Sequence, residues 1–103
     1  MTDPAKFRRE FMRWVLLLAL NNARDADGAS DTLLLSIIRA EFADATRSKV
    51  RRELDYLAER GLIKLHKRPD GELVADIGRY GIDMVEYNID CAPGIARPQK
   101  YGL

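Results

Sequence analysis

Cysteine is almost missing from this sequence. Cys91 stands alone, which excludes an internal disulfide and every zinc framework built on paired cysteines. Histidine is as scarce, with His66 the single example, so a metal centre of clustered Cys and His has no ligand set. The expected metal and cofactor complement is none. There is no Gly-rich phosphate loop and no Walker or dinucleotide fingerprint; Arg68-Pro69-Asp70-Gly71 is a turn. Cys91 and His66 have no evident third group to orient them as a nucleophile and base, so no enzyme is expected. Long apolar runs are lacking too. Trp14 to Leu20, at seven residues, is far below the roughly 20 needed to span a bilayer. The start, Met1-Thr2-Asp3-Pro4, has interleaved basic residues and no small-residue cleavage site after it, unlike a secretory signal. The expected setting is reducing and cytoplasmic, with no membrane partner.

Charge of one sign is also lacking overall: 17 basic residues face 16 acidic ones, for a formal net charge of +1. Its distribution is uneven. Residues 45–70 carry eight basic and four acidic groups, whereas the segments on either side are net negative. A polyanion would feel that local excess rather than the total. The remaining composition, 47% hydrophobic and 32% charged over 103 residues, fits one small globular domain.

Periodicity predicts a first helix from about Pro4 to Asn22, with Pro4 in its first turn. It carries two apolar stripes. Phe7, Phe11, Trp14, Val15 and Leu18 form the one expected to face the core; Met12, Leu16 and Leu20 form the other. A loop from Asn21 to Ala29 leads to Ser30, an N-cap for a second helix ending near Phe42. Thr46 caps a third helix to Arg60, with Val50, Leu54 and Leu57 inward and Gly61 as its stop. The period then changes to two. Leu62–Lys67 and Glu72–Ile77 read as a β-hairpin around Arg68-Pro69-Asp70-Gly71. A fourth helix is expected over about 79–89, with Ile82, Val85 and Ile89 on one stripe and Tyr80, Met84 and Tyr87 on another. Residues 1–90 are thus one domain, mainly α with a small β-hairpin, and residues 91–103, with Pro93, Gly94, Pro98 and Gly102, an extended tail.

The order helix, helix, short turn, helix, hairpin, helix is that of a winged helix-turn-helix. The run from Val50 to Ile63, with its Leu-x-x-Leu, charged pair and Gly-Leu-Ile, resembles the recognition helix entering the wing in ArsR- and MarR-type bacterial regulators. The stretches Val85-Glu86-Tyr87 and Cys91 to Pro98 are similar to small winged-helix proteins of Mu-like prophages. Gly78 stands where a Thr commonly caps the helix after the wing. The resemblance implies double-stranded DNA binding and a role in transcription regulation. The alternative is a winged-helix interaction module, such as a phage accessory or assembly protein, that binds protein.

On a helix with Val50, Leu54 and Leu57 inward, Ser48 and Arg52 point outward, where a recognition helix meets base edges in the major groove. Arg47, Lys49 and Arg51 suit phosphates, as do Lys64, His66, Lys67 and Arg68 of the wing. Asp55 and Glu59 share the outward face and repel phosphate. The second stripes, Met12, Leu16 and Leu20 with Tyr80, Met84 and Tyr87, predict a homodimer interface with the tail lying across the partner. A ligand pocket at Tyr80, Met84 and Tyr87 is the lesser possibility, so a small-molecule effector is not expected.

Overall fold

The computed structural model describes residues 3–100; the first two residues of the domain and the last three of the tail lie outside them. Local capping chemistry starts each of the three long helices. In α1 (Pro4–Asn22) the Asp3 carboxylate accepts the Ala5 N–H at 3.0 Å. In α2 (Asp31–Glu41) Ser30 Oγ accepts the Leu33 N–H at 3.2 Å, and in α3 (Arg47–Glu59) Thr46 Oγ1 accepts the Lys49 N–H at 3.2 Å. Gly61 ends α3 at φ +76°: its N–H reaches the Ala58 carbonyl and the Leu62 N–H the Leu57 carbonyl, the paired closure of a Schellman motif.

Strands β2 (Ile63–Lys67) and β3 (Leu73–Ile77) form the expected antiparallel hairpin, with Lys64 opposite Asp76 and His66 opposite Val74. A third strand was not expected. In β1 (Ala29–Ser30), Ala29 pairs with Ala75 and Ser30 with Val74, giving the antiparallel order β1-β3-β2. Two residues are too few to show a period of two in the sequence. The fold is therefore mainly helical with a small three-stranded antiparallel sheet.

The hairpin turn has the predicted chemistry. The Gly71 N–H donates to the Arg68 carbonyl at 2.9 Å, and Gly71 adopts φ +89° with open space around its Cβ position. Substitution there meets backbone strain and no clash. Gly71→Val should cost about 1 kcal/mol or more. Thermal melting checks this, and equal midpoints for variant and parent would refute it.

Two features of the expected packing are corrected. Met12, Leu16 and Leu20 of α1 do not face a partner; they are core residues of this chain, together with Leu17, Leu34, Ile38, Leu54 and Leu57. The stripe expected to face the core does so only in part: Phe7 is 52% exposed and Leu18 is exposed, whereas Phe11 and Val15 are half-buried and pack against the core. Trp14, expected on that stripe, is buried and meets Tyr87 edge to face.

The second correction concerns the C-terminal part. Helix α4 (Arg79–Val85) stops four residues before the expected end, because Tyr87 turns left-handed at φ +62° and the Asn88 N–H closes onto the Asp83 carbonyl. Met84 is fully buried in the core, Tyr87 is half-buried and only Tyr80 is exposed, so α4 offers no apolar stripe to a partner. The tail lies across its own chain. Ile95 is buried, the Ala96 N–H reaches the Glu10 carbonyl, Tyr87 donates to the Pro98 carbonyl at 2.6 Å, and Arg97 bonds the Met84 and Ile89 carbonyls. Among the described residues no helix is long and apolar enough to cross a membrane.

Candidate functional site

Helices α2 and α3 are joined by residues 42–46, so α3 starts close behind α2 with its first turns on the surface. Its inward stripe, Val50, Leu54 and Leu57, is fully buried as expected, and Ser48, Arg52, Asp55 and Glu59 are exposed. At 3.6 residues per turn these four stand on one outward face. Arg47, Ser48, Arg51, Arg52 and Asp55 line an open depression over it.

Arg47 and Arg51, both expected at phosphates, stand on the flank towards the hairpin and are engaged within the chain. Asp31, the first residue of α2, is fully buried. Arg51 Nε donates to its Oδ2 at 2.6 Å, the Leu73 N–H to its Oδ1 at 3.4 Å, and Arg47 Nε lies 3.9 Å away. Burial on its own would raise the Asp31 carboxyl. The Arg51 hydrogen bond and charge, the Leu73 amide and the Arg47 charge outweigh it, so the group is held below the usual carboxylate range. Arg51 Nη2 also reaches the Gly71 carbonyl at 3.3 Å. Arg47 Nη2 donates to Thr32 Oγ1 at 2.8 Å, and that hydroxyl donates to Glu72 Oε1 at 2.6 Å. These contacts tie the start of α2, the first half of α3 and the turn of the hairpin into one unit. Arg51 is thus a positioning residue with a committed charge, and Arg47 is partly committed.

The hairpin presents the rest of the expected set. Lys64, His66, Lys67 and Arg68 are all exposed, with Lys64 and His66 on one face of β2. Arg68 lies 3.4 Å from Glu72, an exposed pair worth little.

The flank of α3 towards α1 holds groups that sequence reasoning missed. Arg13 of α1 donates from Nε to the buried Glu53 at 2.7 Å, stacks over the Tyr56 ring at 3.6 Å and bonds the Gly94 carbonyl. Beyond it Arg9, Lys49 and Arg52 line a cleft between the two helices. Arg9 shares a helix face with Arg13 and Leu16, so a correct choice of the inward stripe on α1 would have turned it towards α3.

Among the described residues, no group of three or more His, Cys, Asp or Glu is placed to hold a metal ion. No protein-family model matches the chain, and no curated protein or solved structure matches it.

Proposed function

We propose that the chain is a winged helix-turn-helix protein that binds double-stranded DNA, with the first half of α3 in the major groove and the β2–β3 hairpin against the backbone. The observation that carries this reading is the outward, solvent-exposed placement of Ser48 and Arg52 in the first turns of α3, beside a basic hairpin held to the same helix. The element order and the β1-β3-β2 sheet support the fold half of the reading. Asp55 and Glu59 share the outward face further along α3, so close approach to phosphates is confined to its N-terminal half.

Binding to a mixed-sequence duplex at low salt, weakening as salt rises, is the expected signature, measured by fluorescence anisotropy. Arg52→Ala should cost about 1–3 kcal/mol against a selected site and relax preference at one base. No duplex binding even at the lowest salt would end this reading.

A protein-interaction module is the second reading, favoured by the apolar surface that α1 and α2 leave open. Phe7 and Leu33 are each about half exposed, and Leu18 and Ile37 are exposed as well. Solitary exposed apolar residues are ordinary, but a stripe along a helix marks a contact surface. Its α1 part, Phe7 and Leu18, lies on the side of that helix opposite Arg13, which meets α3, so a second copy or another protein can use that side while α3 stays free.

A further inference from the structure

A duplex that takes α3 into its major groove, about 12 Å wide, has a phosphate strand on each side of that helix. The hairpin stands on one side, where Arg51 meets Gly71. On the other side α1 and α3 enclose the cleft of about 200 Å³ lined by Arg8, Arg9, Met12, Lys49, Arg52 and Glu53.

The cations of this cleft divide into committed and free. Arg8 is paired with Asp44, whose carboxyl is held below the usual range, first by that hydrogen bond and also by the charge of Lys49. Glu53 is paired with Arg13. Among the described residues no ion pair or side-chain hydrogen bond engages Arg9, Lys49 or Arg52. Three like charges therefore line one opening whose own carboxylate, Glu53, is already paired with Arg13, so an entering anion relieves their mutual repulsion. Further along α3, Asp55 and Glu59 join Arg9, Arg13, Arg52 and Glu53 in balanced numbers, so the excess of positive charge lies at the end where α1 begins and Lys49 stands.

We infer that this cleft receives a backbone phosphate of the duplex bound by α3, with Arg9 of α1 as a phosphate contact alongside Lys49. The inference rests on the DNA-binding reading and extends it: the duplex is gripped on both flanks of α3, and the second strand runs over the N-terminal half of α1.

The test uses the full chain and a mixed-sequence duplex, with affinity measured against salt. Arg9→Gln and Lys49→Gln should each flatten the slope of log K on log salt by about 0.9, the contribution of one phosphate contact. Arg79→Gln removes the same charge from α4, at a side chain 86% exposed, and should leave the slope at the parental value. Melting curves should show all three variants folded, because each replaces an exposed residue. If the parent binds duplex and Arg9→Gln has the slope of Arg79→Gln, the phosphate contact is overturned while DNA binding stands. If the parent binds no duplex, both fall.

Discussion

Replacing Leu16 by Glu should unfold the chain. Leu16 lies midway along α1, fully buried, in one core cluster with Leu17, Leu20, Leu34, Ile38, Leu54 and Leu57. Removing a leucine from such a position costs about 2–5 kcal/mol. A carboxylate placed there without a partner adds several more, or takes up a proton at a comparable cost. The total rivals the roughly 5–15 kcal/mol that holds a small domain together. Leu18→Glu, two residues on, is the control. Leu18 is 37% exposed on the outward stripe, so its change should stay within about 1 kcal/mol. Circular dichroism melts read both. Leu16→Glu should show no cooperative transition, and Leu18→Glu should melt near the parent. A Leu16→Glu chain that stays folded and merely stops self-associating would instead place Leu16 on a surface between copies.

That contrast shows why one part of the fold was legible in the sequence and another was not. Caps and stops are local chemistry. Ser30, Thr46, Gly61 and the Pro69-Asp70-Gly71 turn act on their own neighbours, and the structure has each in its expected place. The hairpin and the inward stripe of α3 were legible for a related reason, since α3 is apolar on one face and the hairpin departs from that pattern only at the buried Val74. Helix α1 has two apolar faces, and periodicity says nothing about which one turns inward. The charges then pointed the wrong way. Arg9 and Arg13 flank the Leu16 face and read as a wet surface, whereas Arg13 is turned inward by the buried Glu53 of α3. An ion pair across 40 residues leaves no local signature. The same holds for the tail, whose place on its own chain depends on Arg97, Tyr87 and Ile95 meeting distant partners.

The site divides in a similar way. The exposure of Ser48, Lys49 and Arg52 follows from the helical period of α3 alone. The commitment of Arg51 to Asp31 does not, because the two are brought together only when the hairpin folds against α2 and α3. Asp31 reads in the sequence as an ordinary acidic residue of a first helical turn. In the structure it anchors the hairpin.

Asp31→Asn tests that anchor. The amide keeps the volume of the carboxylate but loses its charge, leaving the Arg51 guanidinium without a counter-ion. Arg51 is one-third exposed and can turn partly to water, so the cost falls below that of a fully buried broken pair, at about 2–3 kcal/mol. For a domain of this size that lowers the melting midpoint by roughly 10 °C or more. The pH dependence carries the sign. The folded carboxyl titrates below its ordinary value near 3.8. Its stabilisation is therefore complete above that ordinary value and lost as pH falls through the depressed folded one. Urea titrations of parent and variant should differ fully near neutral pH and converge as pH drops below about 4. A difference that persists unchanged at low pH would mean that volume and amide geometry, rather than the ionised carboxylate, hold Arg51. On the proposed DNA-binding reading, duplex affinity, measured well below both melting points, should also fall for the variant, because an unanchored hairpin would have to be ordered again on meeting the backbone. Loss of stability without loss of affinity would count against the proposed joint contact of hairpin and α3 with a duplex.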